Sequence, residues 1–349
     1  MINAFDLTLR ELKDSLEQNG LKPFRAKQVF GWITKYADIE EMSDLSLADR
    51  ELLKELYDFQ PVSIVEKLVS KDKSVKYIFR LNDGNVVEGA LMKQGYGNTI
   101  CISTQVGCRM GCAFCASGIG GVVRNITPGE MLAQVLSVNR DLGKNIDGRR
   151  NITNIVLMGS GEPLDNYENV TKFLSLVSSP DGINISQRNI TLSTCGLADN
   201  IIRLADDGFG VNLTISLHAT TDEKRRKIMP VAFKYSIDEI IEASNYYSDK
   251  TGRRTSFEYT MIKNSNMSYF DCLRLSQLAR RAKAHVNLIM LNYVKEKNVA
   301  GCTNAEAEKF CEKLCNFGIN ATIRRSKGGD VGGACGQLRR KYMEKNEND

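Results

Sequence analysis

The sequence predicts an α/β protein: a largely parallel sheet with covering helices, preceded by a small helical unit. Three observations carry that expectation. From Thr99 onward, strand-like runs recur at 99–103, 153–158, 189–194, 211–217, 255–262, 285–291 and 320–324. Between them lie helical segments with clear starts, and repeated β–α units imply a parallel sheet. The first 62 residues hold helical, polar patterns instead.

The elements follow in order. Pro23-Phe-Arg-Ala-Lys-Gln-Val-Phe-Gly-Trp-Ile33 sets Val29, Phe30, Trp32 and Ile33 on one helical stripe, and Leu52, Leu53 and Leu56 repeat the device. Residues 1–62 are therefore expected to form a helical accessory domain. Residues 63–93 are expected to form a linking β-hairpin, with runs Lys76–Leu81 and Val86–Met92 around the turn Asn82-Asp83-Gly84-Asn85. Residues 94–349 are the expected core. There, Thr127-Pro-Gly-Glu130 is a capping box with proline at the first helical position, and Ser236-Ile-Asp-Glu239 and Thr303-Asn-Ala-Glu306 repeat it. Val170, Phe173, Leu174 and Val177 mark a helix over about 166–178. Six units plus an extra strand are too few for an eight-fold barrel. A partial barrel and an open doubly wound sheet both fit the pattern.

Composition narrows the class. The chain has 349 residues, 42% hydrophobic and 26% charged, as expected of a soluble enzyme. The N-terminus shows no secretory pattern, and no apolar run is long enough to span a bilayer. A cytoplasmic protein is expected. Ten cysteines without a secretory signal suggest metal or catalytic use rather than a disulfide framework. Basic residues clump at Arg149-Arg150, Lys224-Arg225-Arg226-Lys227, Arg253-Arg254, Arg324-Arg325 with Lys327, and Arg339-Arg340-Lys341. Such clumps can neutralise phosphates; they can equally be solvated helix ends and loops.

The chemistry centres on Cys108, Cys112 and Cys115, spaced C-x3-C-x2-C directly after the first core strand. Three thiolates can hold three irons of a [4Fe–4S] cube, leaving the fourth open to an outside ligand. Sites in parallel α/β folds gather at the C-terminal ends of strands, which suits this placement. A zinc site usually wants four ligands, often in two pairs, and both histidines, His218 and His285, are distant in sequence. Cys311 and Cys315, with Phe310 and Leu314, read as a buried helix stripe rather than a second metal site.

The cysteine loop, with an aromatic residue before its last cysteine, resembles the signature of radical S-adenosylmethionine (SAM) enzymes. Cys101-Ile-Ser-Thr-Gln-Val-Gly-Cys108, Met158-Gly-Ser-Gly-Glu-Pro-Leu164, Leu192-Ser-Thr-Cys-Gly196, Ile215-Ser-Leu-His218 and Asp330-Val-Gly-Gly-Ala-Cys-Gly-Gln-Leu338 narrow the match. Together they closely resemble the RlmN family, which methylates C2 of adenosine in 23S ribosomal RNA and in a subset of transfer RNAs. The resemblance spans nearly the whole chain. It implies a partial (β/α)6 barrel with an N-terminal helix-hairpin-helix-like domain that binds RNA.

The resemblance also implies roles. C2 of adenine lies between two ring nitrogens and is electron-poor, so it cannot attack the methyl group of SAM, but a carbon radical can add to it. Cys335 resembles the cysteine methylated first, and Cys101 the thiol that resolves the protein–RNA adduct by forming a Cys101–Cys335 disulfide. Two SAM molecules per turnover follow. Glu88 resembles the proton acceptor; otherwise it would be an exposed strand carboxylate. Gly161, Glu162, Ser193, Ser216, Leu217, His218 and Asn292 match SAM contacts. In the Gly159-Ser-Gly-Glu162 loop, glycines let a ligand approach the backbone, and Glu162 can take the SAM ammonium. Leu291-Asn292-Tyr293 lacks the proline common after that asparagine, and Ser160 stands where methionine is frequent. Implied partners are the two RNA classes and an electron donor such as flavodoxin or ferredoxin, with the enzyme monomeric. Two alternatives stay open: the sister enzyme type that methylates C8, against which Pro163 speaks, and a non-catalytic zinc RNA-binding protein.

Overall fold

The structure is a computed structural model that describes residues 1–95, 97–143, 150–291, 299–324, 327–331, 338 and 342–343. The chain opens with β1 (Ile2–Asn3), α1 (Leu9–Gln18), α2 (Arg25–Ile33), α3 (Leu47–Leu56) and β2 (Tyr57–Asp58). Parallel pairing of β1 with β2 closes this unit on itself. Thr8 and Glu11 form a capping box on α1, and Ser46 caps α3. Val29, Phe30 and Ile33 are buried as the stripe predicts, with Leu12, Leu16 and Leu53. Trp32 stays half-exposed and donates from Nε1 to Asp44. Asp6 ties the unit to the next one by accepting from the Gly129 amide at 2.6 Å.

Residues 63–93 contribute more than one hairpin. β3 (Val62–Val69), β4 (Val75–Leu81) and β5 (Val86–Gln94) form an antiparallel ladder that runs on into β6 (Gly97–Cys101). The β4–β5 turn is the expected one, and Gly84 supplies its positive φ of 83°. The cysteine loop then lies between the short antiparallel strands β7 (Gln105–Gly107) and β8 (Val122–Asn125).

The remaining strands alternate with helices: α4 (Pro128–Asp141), β9 (Ile152–Leu157), α5 (Tyr167–Ser178), β10 (Ile190–Thr194), α6 (Ala198–Asp206), β11 (Asn212–Ser216), α7 (Asp222–Ile228), α8 (Ile237–Thr251), β12 (Ser256–Met261), α9 (Tyr269–Arg281), β13 (His285–Met290), α10 (Asn304–Asn316) and β14 (Ala321–Arg324). All three expected capping boxes form, at Thr127, Ser236 and Thr303. The ten-stranded sheet has the order β14-β13-β12-β11-β10-β9-β6-β5-β4-β3. Every pair from β6 to β14 is parallel, and the other three are antiparallel.

The sheet curls into a partial barrel. Side chains from β4, β5, β6, β9, β10, β11, β12, β13 and β14 all line one cavity. Its two edges are joined by side chains rather than by a ladder. Gly328 donates to Asp72 at 3.1 Å, and Ser70 and the Lys71 amide donate to Asp330.

One expectation for α10 fails. Its buried stripe is Ala307, Phe310 and Leu314, whereas Cys315 is exposed and Cys311 only half-buried. Successive residues turn about 100° around a helix, which carries position 315 past the edge of that stripe.

Candidate active site

The central cavity, about 420 Å³, opens at the C-terminal ends of the parallel strands and holds most of the expected site residues. Cys108, Cys112 and Cys115 face it from the β7–β8 loop. The crossing of that loop is tight: Cys108 donates to the Gly121 carbonyl, and a Cβ at Gly107 would meet the same oxygen at 2.1 Å. On its far side the Ala113 amide donates to the Ile228 carbonyl at 2.9 Å, tying the loop to the end of α7. The Phe114 ring meets His218 edge-on, with centroids 4.8 Å apart.

Burial, reinforced by the charges of neighbouring thiols, pushes the Cys108 thiol up to about 11 and Cys112 to about 12. Such thiols stay protonated unless a cation takes the proton's place. A structural zinc site usually takes four ligands, whereas a cuboidal cluster with three protein thiolates keeps one iron for an outside ligand. Three thiols of one loop around one cavity suit the cluster.

Glu162 is buried against the loop, and burial raises its carboxyl above the usual carboxylate range. Its oxygens accept from the Leu164 amide at 3.0 Å and the Cys195 amide at 2.7 Å. The Thr194 and Cys195 side chains also hydrogen-bond to this carboxylate, so a ligand ammonium would join an already well-coordinated group. Gly159 and Gly161 line the cavity, and they also bring two chain segments together. A Cβ at Gly159 would meet the Ile102 carbonyl at 2.6 Å, and one at Gly161 the Gln105 amide nitrogen at 2.6 Å. They let the strand leading to the cysteine loop press against the Glu162 loop. Gln105 then accepts from the Glu162 amide at 2.9 Å.

Ser193 and Ser216 line the cavity from the ends of β10 and β11. Leu217 does not: it is fully buried in the hydrophobic core, its amide donates to the Glu258 carbonyl at 3.0 Å, and its carbonyl accepts from the Ala219 amide at 2.7 Å. His218 lines the cavity at a φ of 54°, uncommon for a side chain of its size. Its Nδ1 accepts from the Thr260 amide at 2.9 Å, which leaves the proton on Nε2. Burial, helped by the Arg225 charge, lowers its pKa to about 3, so the ring is neutral. Asn292 and Cys335 lie outside the described residues. Met290, Lys327 and Gly328, on the chain near them, line the cavity.

Cys101, at the end of β6, and Glu88, on β5, share one wall of the cavity. Cys101 pairs with Ala90, two residues from Glu88 and so on the same face. Glu88 is buried rather than exposed, and Lys76 Nζ lies 3.3 Å from its carboxylate. Lys76 gave no sequence signal, because its pairing depends on the β4–β5 register.

One more residue, Glu258, escaped the sequence reading. Glu258, which lines the cavity, accepts from Arg324 at 2.9 Å and Asn287 at 3.1 Å, while its Oε2 is buried without a hydrogen-bond partner among the described residues. A buried acceptor left open beside a cavity suits a hydroxyl or ammonium of a ligand. A glutamate inside a buried parallel strand was the available signal. The basic clumps also change meaning. Arg324 turns into the cavity, Lys224 pairs with Asp271, Lys227 pairs with Glu223, and Arg225 is fully buried.

Comparison with known proteins agrees with this geometry. Residues 102–274 match the radical SAM superfamily, and residues 2–58 match the ribosomal RNA large subunit methyltransferase N-terminal domain. The chain is 48% identical over 349 residues to the probable dual-specificity RNA methyltransferase RlmN of Clostridium acetobutylicum, covering 99% of each. It is 49% identical over 347 residues to the like-named protein of Clostridium perfringens, covering 99% of this chain and 98% of that one. A crystal structure of a radical SAM methyltransferase from Sphaerobacter thermophilus superposes with a TM-score of 0.92 at 38% identity, over 97% of this chain and 99% of that one.

Proposed function

The chain belongs to the RlmN family of dual-specificity RNA methyltransferases, and from that premise we propose how its residues divide the reaction. It is a radical SAM enzyme, which sets aside the zinc-binding alternative, and kinship with RlmN favours C2 over the C8 chemistry of the sister type. Its substrates are adenosines in 23S ribosomal RNA and in transfer RNA.

A [4Fe–4S] cluster together with SAM would supply, when bound, the carbon radical this chemistry needs. Cys108, Cys112 and Cys115 would hold the cluster. Glu162 binds the SAM ammonium, with Gly161, Ser193, Ser216, His218 and Asn292 around the rest of the molecule. Cys335 accepts a methyl group on its sulfur from one SAM, and a second SAM is used to activate that group, so two are consumed per turnover. Once the carbon carried by Cys335 is bonded to C2, the adduct must give up one electron and the C2 proton, and Glu88 takes that proton. Cys101 Sγ, as thiolate, bonds to Cys335 Sγ as the Cys335 sulfur–carbon bond breaks; the freed carbon keeps the bonding pair and takes up a proton to become the methyl group, and the resulting disulfide is reduced by an external dithiol. The buried Lys76 ammonium keeps Glu88 oriented toward the cavity.

The observation that carries this reading is the shared wall: Cys101 and Glu88 face the same cavity as the three-cysteine loop. An electron donor of the flavodoxin or ferredoxin type, a monomeric enzyme and a cytoplasmic location complete the proposal. No described helix is long and apolar enough to cross a membrane. The test is a pair of variants incubated with RNA and SAM under reducing, anaerobic conditions. Cys101→Ala is expected to accumulate a protein–RNA crosslink, and Cys335→Ala to give neither crosslink nor product. Normal turnover by Cys101→Ala would refute the resolving role.

A further inference from the structure

Arg225 is a buried cation that pairs with no anion among the described residues. It is fully buried, and every hydrogen bond of its guanidinium goes to a backbone carbonyl. Nε donates to Leu217 at 3.2 Å, Nη1 to Tyr235 at 3.4 Å, and Nη2 to Cys195 at 2.6 Å and Ser216 at 3.3 Å. Asp222, the carboxylate that acts on it through space, accepts from the Ile237 amide instead. No carboxylate pairs with Arg225 among the described residues. Burying a charge in this way is costly, and natural interiors normally supply a counter-ion.

The position of the cation suggests where its counter-ion belongs. Arg225 sits on α7, whose last residue, Ile228, takes the Ala113 amide between Cys112 and Cys115. Gly111 lies against Pro230, just beyond the same helix. Cys195 and Ser216, whose carbonyls the guanidinium binds, both line the cavity that the three thiols face. The charge of Arg225 reaches the Cys112 and Cys195 sulfurs.

We propose that Arg225 is the fixed counter-charge of the iron–sulfur cluster, holding its one-electron-reduced state within reach of a biological donor. The proposal rests on the radical SAM reading of the cysteine loop. A [4Fe–4S]2+ core with three thiolates carries a net charge of −1. One electron from an external low-potential reductant, dithionite in the test below, takes it to −2, with no proton or ligand exchanged. A positive charge that pairs directly with no described carboxylate opposes that build-up, and it acts strongly in a dry interior. Arg225 touches neither substrate nor the reacting atoms; it is a tuning and positioning residue.

The test uses the full chain with its cluster assembled anaerobically, as wild type, Arg225→Lys and Arg225→Gln. Iron content is measured first, then the reduced fraction by electron paramagnetic resonance during a dithionite titration. At a fixed potential, Arg225→Gln is expected to show a reduced-to-oxidised ratio at least tenfold lower, a shift of about 59 mV for a one-electron couple. Arg225→Lys keeps the charge and is expected within threefold of wild type, although it loses hydrogen bonds and unfolds at a lower temperature. Arg225→Gln with full iron and an unchanged ratio would overturn the proposal. So would an Arg225→Lys ratio displaced tenfold, because the hydrogen bonds rather than the charge would then matter. If Arg225→Gln holds no iron, the Arg225→Lys ratio decides alone by the same limits. A wild-type chain that assembles no cluster would fail the cofactor reading itself, a different result from either.

Discussion

Replacing Gly161 with alanine tests how the Glu162 loop is held against the cysteine loop. Gly161 has a φ of 109°, outside the region side chains readily adopt, and an alanine there costs about 1–3 kcal/mol in backbone strain. The new Cβ would also stand 2.6 Å from the Gln105 amide nitrogen and 2.7 Å from Gln105 Cβ and Thr104 Oγ1. Those atoms belong to a backbone segment fixed by Thr104 and Gln105 donating to the Ser160 carbonyl at 2.8 and 3.1 Å, so they cannot swing aside. Overpacking of this kind costs roughly a further 1–3 kcal/mol, for a total near 4 kcal/mol. Gly84→Ala is the control. Its φ is 83° but nothing lies within 4 Å of the new Cβ, so only the backbone cost of about 1–2 kcal/mol applies. Urea unfolding of the anaerobically purified proteins, with iron counted per chain, separates the two. Gly161→Ala is expected to lose roughly 2–3 kcal/mol more than Gly84→Ala, given those costs, and to retain less iron. Equal losses, with full iron in both, would refute the argument that close approach of the two loops requires this glycine.

Two further predictions concern pH and the barrel edge. His218 is neutral in the folded protein down to about pH 3 but protonates near 6.5 when unfolded, so the unfolded chain binds more protons between those values and stability falls as pH drops through that window. At pH 5 the penalty is about 2 kcal/mol relative to pH 7; His218→Asn, which can still accept from Thr260 and tolerates the backbone, should lose that much less on acidification in urea unfolding. Asp72→Asn turns an acceptor facing the Gly328 amide into a donor, and the lost bond should speed trypsin cleavage after Lys327 by about tenfold. Equal cleavage rates would mean that the edge-to-edge clasp does not hold that segment.

What could be read in the sequence was what local physics writes there. The parallel strands and capped helices announce themselves within ten or so residues, as Thr127, Ser236 and Thr303 show. β3 was missed because a register shift between Ile64 and Glu66 breaks its alternation, and because it lies at the sheet edge with charged residues outward. The site split along the same line. The cysteine loop, Cys101, Glu88 and Glu162 stand in recognisable motifs, and all face one cavity. Lys76, Glu258 and Arg324 enter it through strand register, which no short window records. Arg225 lay in a basic run that looked solvent-facing, and only packing of α7 reveals that one residue of the four turns inward.

The most direct measurement is mass spectrometry of nucleosides from 23S ribosomal RNA and transfer RNA after reaction with the anaerobically reconstituted enzyme, SAM and a reductant. The account requires 2-methyladenosine in both RNAs, and its loss with Cys335→Ala. The appearance of 8-methyladenosine instead, or a colourless protein that never consumes SAM, would contradict it.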